Sequence, residues 1–141
     1  MRLVPVAAAD VRRVWPQVRP WLTAACARPG CDLAVQDLLA LVLGGRALLV
    51  LIGPKGGPAA ACGVSQVREA ADGTRTAWVL AVGGTGARTW RHTLAHIEAG
   101  ARAHGCGSVE FVGRPGWRRL LPDYAAAPCE AGTHYSKGLS G

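Results

Sequence analysis

What this 141-residue chain lacks narrows its class before any motif is read. No stretch is long and uncharged enough to span a bilayer, so no membrane segment is expected. The opening MRLVPVAAADVRR has only a very short apolar run before Asp10, which argues against a secretory signal. Lysine is scarce: Lys55 and Lys137 are the two, and arginine carries nearly all of the net charge of +7. No Lys/Arg run exceeds two residues and basic residues do not interleave with aromatics, so no nucleic-acid surface is indicated. Enrichment in Arg, Ala and Gly together is also what GC-rich coding produces. The five cysteines (Cys26, Cys31, Cys62, Cys106, Cys129) are odd in number and form no C-x-x-C pair. That spacing excludes the usual zinc modules and predicts reduced, mostly buried thiols of a cytosolic assembly site. Repeats and low-complexity tails are missing too.

Half of the residues are apolar, enough for one domain over 1–141 with a real core. Arg2 to Val6 reads as a first strand. Asp10 stands at an N-cap position before a helical stripe of Val11, Val14, Trp15, Val18 and Leu22. Pro16 and Pro20 interrupt that stripe and predict a kinked helix or two pieces, ended by Arg28-Pro29-Gly30. Asp32 is placed to cap a second helix with Val35, Leu38, Leu39 and Val42, stopped by Gly44-Gly45. Three strands follow, at about 47–52, 59–67 and 74–82, and then a helix. Ser108 to Val112 is a fifth strand, and Pro115 can open a short helix with Trp117, Leu120 and Leu121. The last twenty residues carry weak strand signals near 125–130 and 133–139. The order β-α-α-β-β-β-α-β-α-β-β predicts an α/β (α+β) mixed sheet covered by helices.

The chain is organised around Trp78 to Gly105. There an apolar strand meets Gly83, Gly84 and Gly86, followed by a helix with Trp90, Leu94, Ile97 and Ala101 on one stripe. Strand, glycine turn and helix N-terminus can form an anion cradle, because free N–H groups and the helix dipole point the same way. The plainer reading is a strand-to-helix turn punctuated by glycine.

That element order, with a glycine-rich turn after the fourth strand, resembles the GNAT superfamily of N-acetyltransferases. In that family the turn reads Arg/Gln-x-x-Gly-x-Gly/Ala and holds the pyrophosphate of acetyl-CoA. Here it starts at Gly83, has Gly86 at the fourth place and Arg88 where a small residue belongs. Aligned from the helix exit Ala101-Arg102-Ala103-His104-Gly105, the entrance glycines become Arg88 and Trp90. A Trp would crowd a phosphate, whereas Arg88 could pair with it. A closer resemblance is to small GNAT-like proteins encoded among phage or prophage structural genes. It rests on Val14-Trp15-Pro16, Gly83-Gly84 and Gly113-Arg114-Pro115-Gly116-Trp117. The last of these also reads as a turn that docks the short helix on the sheet.

Acyl transfer to an amine needs a base for the amine proton and an acid for the leaving thiolate. Thr74 to Val82 contains no carboxylate and no His, and the helix after the fifth strand contains no Tyr. Tyr124 lies where the family usually carries the Phe of a Gly-Phe pair. Glu110 is the one carboxylate of the fifth strand and points opposite to Val109 and Phe111. His92 and His96 have chelating spacing with no third ligand in view, so a solvated face is expected and no metal. Cys106 reads as buried packing. These absences, with the phage resemblance, lead to the expectation of a non-catalytic virion or assembly component. It would bind no cofactor, would reside in the virion or the bacterial host cytoplasm, and would meet other phage virion or assembly proteins through Arg114, Trp117, Arg118 and Arg119. The alternative is an acetyl-CoA-dependent N-acetyltransferase. In it Val82, Gly83, Gly84, Gly86 and Arg88 bind the cofactor, and Glu110 is the base.

Overall fold

Alternating and fully apolar runs along the chain pair into one seven-stranded mixed sheet, ordered across it as residues 2–6, 48–53, 61–69, 75–84, 108–113, 132–138 and 125–129. The structure, a computed structural model, describes residues 2–27, 33–54, 56–84, 89–113, 117–130 and 132–139. Its strands are β1 (Arg2–Val6), β2 (Leu48–Gly53), β3 (Ala61–Glu69), β4 (Arg75–Gly84), β5 (Ser108–Gly113), β6 (Ala125–Cys129) and β7 (Gly132–Gly138). The helices are α1 (Val11–Cys26), α2 (Val35–Leu43), α3 (Thr89–Ala103) and the single turn α4 (Trp117–Leu120). This is the element order expected from the sequence. All neighbouring strands are antiparallel except β4 and β5, which the α3 crossover joins in parallel.

Helix α1 departs from expectation in being one continuous 16-residue helix with Pro16 and Pro20 inside it. Val11, Val18, Leu22 and Ala25 are buried, whereas both prolines face solvent. The carbonyls freed by the missing proline N–H groups are those of residues 12 and 16, on that wet face, where water can satisfy them. Asp10 does occupy the N-cap, but its side chain makes no capping bond and instead lies 3.7 Å from Arg13. At α2 the expected cap Asp32 lies outside the described residues. The Asp37 carboxylate reaches back to accept the Ala34 N–H at 2.9 Å, as the acidic residue of a capping box does.

The helices divide the core in two. Helices α1 and α2 cover one face through Val11, Val18, Leu22, Leu38 and Val42, over Leu49, Cys62, Val64 and Ala81. Helix α3 covers the other through Leu94, Ile97 and Ala101, over Ala77, Val79, Val109, Phe111 and Tyr135. Trp117 packs edge-on against Phe111, 6.0 Å between centroids, which docks α4 on the sheet. Cys62 and Cys106 are buried, Cys26 is half-buried and Cys129 exposed. Burial pushes the Cys62 thiol up to about 12, so this thiol is inert packing. Among the described residues no helix is long and apolar enough to cross a membrane.

One buried polar cluster ties α3 to the last strands. Glu98, 8% exposed, accepts the Tyr124 hydroxyl at 2.9 Å and the Lys137 ammonium at 2.8 Å. Burial first, and then the Glu98 charge, push the Tyr124 hydroxyl far above its ordinary value. The hydrogen bond to Glu98 raises Lys137. Both groups hold their protons more tightly folded than unfolded. Their contribution to stability is therefore full below about pH 10, near the unfolded values, and is lost as pH rises through the raised folded ones. The urea midpoint should fall on going from about pH 9.5 to 11.5. The double variant Tyr124→Phe, Lys137→Met should flatten that fall, and an unchanged slope would refute the assignment.

Candidate functional site

The parallel pair at the centre of the sheet is short. It runs Thr76–Ser108, Ala77–Val109 and Trp78–Glu110, with no further pair among the described residues. Beyond Trp78, β4 continues along β3 as far as Gly84; beyond Glu110, β5 continues along β7 as far as Gly113. The two strands therefore part, and a wedge opens between their C-terminal ends. A β-bulge helps to part them. Val64 pairs with Ala81 but Ser65 pairs with Val79, leaving Leu80 as an extra residue in β4, and such an insertion bends and twists its strand. The closed end is fastened by the Gly107 N–H donating to the Arg75 carbonyl at 2.8 Å and by the Ser108 and Thr76 hydroxyls at 3.3 Å.

At the apex of the wedge Trp78 and Glu110 are register partners. Their side chains project from the face opposite Ala77 and Val109, which belong to the core under α3. Glu110 is not alone there. From β7, His134 Nε2 lies 2.8 Å from Glu110 Oε1, with side-chain exposures of 34% and 21% for the two residues. The His134 ring stacks on Trp78 with centroids 5.6 Å apart and planes 11° from parallel. From the other side, β3 contributes Arg68, whose guanidinium carbon lies 4.7 Å from the Trp78 ring centroid. Arg68 Nε donates to Gln66 Oε1 at 3.0 Å, and Gln66 Nε2 donates to the Arg46 carbonyl at 3.0 Å. The result is a half-exposed row of cation, indole, imidazole and carboxylate across four strands.

The sequence singled out Glu110 and placed it on the correct face, but it gave no sign of His134, Arg68 or the wall that Trp78 forms between them. Val82 is buried in the core under α3, so its side chain is packing and its backbone is what the wedge can use. Gly83 and Gly84 end β4 at the open end of the wedge, with contacts that demand glycine: a Cβ on Gly83 would lie 2.6 Å from the Trp21 carbonyl oxygen, and one on Gly84 2.6 Å from that of Ala60. Gly86 and Arg88 lie outside the described residues, as do Arg114 and the side chains of Trp90 and His92. Arg118 and Arg119 are exposed on α4, and His96 is half-buried on α3. Cys106 sits in the core under α3 and burial raises its thiol. Tyr124 belongs to the Glu98 cluster on that same side, its hydroxyl already committed. A cavity of about 460 Å³, lined by Pro5, Leu48, Val50, Ile97 and His104 among others and bordering the row at Arg46 and Gln66, includes no Asp or Glu in its described lining.

No protein-family model and no curated protein matches the chain. Solved structures do. Ribosomal-protein-S18-alanine N-acetyltransferase from Escherichia coli aligns with a TM-score of 0.68 at 15% identity, covering 99% of this chain and 94% of that one. A GNAT-family acetyltransferase from Listeria monocytogenes gives 0.68 at 10% identity, over 98% and 94% of the two chains. The NatC complex bound to Gag peptide and CoA gives 0.59 at 11% identity, over 99% and 100%. These matches overturn the expectation of a non-catalytic virion component. The structures it resembles include several acetyltransferases, and nothing in the comparisons links the chain to phage proteins. The absence of a carboxylate from β4 and of a Tyr from α4 also weighs less, since β5 and β7 bring Glu110 and His134 together at the wedge. Over nearly its whole length the chain carries the fold of the GNAT acetyltransferases.

Proposed function

We propose that the protein is an acetyl-CoA-dependent N-acyltransferase with Glu110 as its base. The observation that carries this reading is the Glu110–His134 pair at the apex of the β4–β5 wedge. The wedge suits the cofactor. Past Trp78, the side of β4 turned toward β5 has no ladder partner among the described residues, so alternate backbone groups over 79–84 are open to an extended, amide-bearing arm such as pantetheine. Val82, Gly83 and Gly84 would hold that arm, and Gly86 and Arg88, next along the chain, would meet the phosphates. When bound, acetyl-CoA supplies a thioester whose C–S bond breaks as the C–N bond to the amine forms, the thiolate taking a proton from water.

The chain's own groups manage the amine. One Glu110 oxygen is engaged by His134, which leaves the other to accept the amine proton. Trp78 fixes the imidazole plane by stacking, so the carboxylate is held by a side chain that is itself held. No Tyr serves as acid, because both tyrosines are spoken for on the α3 side. Tyr124 donates to Glu98, and the Tyr135 hydroxyl engages the Arg118 backbone. Isothermal titration with acetyl-CoA tests the reading. Micromolar binding that weakens by about tenfold or more in Arg88→Glu is expected, as for loss of a charge-assisted phosphate contact. No binding at millimolar ligand would overturn it.

A further inference from the structure

Resting on that reading, we infer that the acceptor is an amine bearing a carboxylate several ångströms from its nitrogen, an ω-amino carboxylate, whose anionic end is bound by Arg68. Arg68 is exposed, yet its position is fixed twice, by the Gln66 bond to Nε and by the Trp78 ring beneath its guanidinium. Both contacts leave its terminal Nη groups without a partner among the described residues. The adjacent carboxylate, Glu69, is turned to Arg75 at 3.8 Å and does not neutralise it. A pre-oriented guanidinium with two parallel N–H donors matches a carboxylate in geometry as well as charge. Within the group formed by Gln66, Arg68, Trp78, Glu110 and His134, Arg68 is the one permanent cation. A single negative charge therefore balances it, while a dianion would also meet the Glu110 carboxylate.

Spacing sets the length of the acceptor. Arg68 comes from β3 and Glu110 from β5, with β4 and its Trp78 between them. Arg68 lies level with Thr76 and Ser108, two residues short of Glu110, so two strand spacings and that offset put the Arg68 and Glu110 Cα atoms about 12 Å apart. With the side-chain ends at about that separation, a hydrogen bond of about 3 Å at each end leaves roughly 6 Å for the acceptor between its nitrogen and its carboxylate. Glycine, at about 2.5 Å, is too short from its bond lengths alone. Chains of four to six carbons reach over the edge of Trp78, whose faces are already covered by Arg68 and His134.

The full-length protein is assayed for thiol release from acetyl-CoA with 4-aminobutanoate, 5-aminopentanoate and 6-aminohexanoate. Glycine and n-alkylamines of the same lengths are run beside them. The ω-amino carboxylates should exceed the matched alkylamines in kcat/KM by about 10- to 100-fold, the worth of a charged hydrogen-bonded contact. Arg68→Gln should abolish that preference, raising KM for the carboxylates by that factor relative to the matched alkylamines, with acetyl-CoA binding intact. Equal rates for both series, with Arg68→Gln silent, would overturn this inference while leaving the acyltransferase reading standing. If no amine is acylated and acetyl-CoA does not bind, that reading fails by itself. Calorimetric binding of 5-aminopentanoate to wild type and to Arg68→Gln then still decides the site, equal affinity counting against it and loss in the variant counting for it.

Discussion

Replacing Glu110 with glutamine should lower kcat for amine acylation by about 10²- to 10³-fold, the usual loss when a positioned general base is removed. Glutamine keeps the volume and can still accept a hydrogen bond from His134, but it cannot take up the proton that the amine must lose. The residue lies on the half-exposed face of β5, away from the core formed by Val109 and Phe111, so folding should be untouched. Acetyl-CoA affinity should stay within about twofold of wild type, because on the proposed reading the β4 backbone, and not this carboxylate, would hold the arm. An unchanged kcat at saturating acyl donor would remove Glu110 from the mechanism. On the proposed mechanism His134 acts as a positioning residue. His134→Ala should lower kcat by about an order of magnitude, as loss of a supporting hydrogen bond does, with KM held.

The alternation around Glu110 was enough to orient it, because period-2 burial is a local property of a strand. Its partner was not legible. His134 reaches Glu110 because β7, and not β6, lies beside β5, with Val112 opposite His134 and Glu110 opposite Ser136. No local pattern encodes that choice of neighbour or that register. The same holds for Arg68, which meets Trp78 only through the β3–β4 ladder. The absence of an acidic residue from β4 is plain in the sequence, but whether a carboxylate reaches the wedge from another strand depends on pairing that the sequence does not show. The prolines of α1 show a related limit. Propensity says that they break a helix, but which face they occupy decides whether the freed carbonyls can be hydrated, and both face water. The element order and the stripe Leu94, Ile97, Ala101 were readable because they depend on near neighbours alone.

The glycines that end β4 carry the other large prediction. Gly83→Ala should destabilise the protein by about 2–4 kcal/mol, lowering Tm by roughly 10 °C, from overpacking against atoms that cannot move singly. The added Cβ would stand 2.6 Å from the Trp21 carbonyl oxygen and 2.8 Å from its carbonyl carbon. Those atoms belong to α1, whose neighbouring Leu22 and Val18 are completely buried, so relief requires shifting the whole helix. Gly84→Ala meets two obstacles. Its Cβ would lie 2.6 Å from the Ala60 oxygen and from the Ala61 Cα, and its φ of +148° is one that side chains rarely adopt. Gly100→Ala is the control, because a Cβ there meets nothing within 4 Å and the residue lies inside α3, so stability should rise by about 0.5–1 kcal/mol. Thermal melts of the three variants, each paired with acetyl-CoA titration, separate packing from ligand approach. Loss of stability in Gly83→Ala and Gly84→Ala assigns these glycines to the joint between α1, β3 and β4. Unchanged melting with lost acetyl-CoA binding would show instead that glycine is needed there for the cofactor.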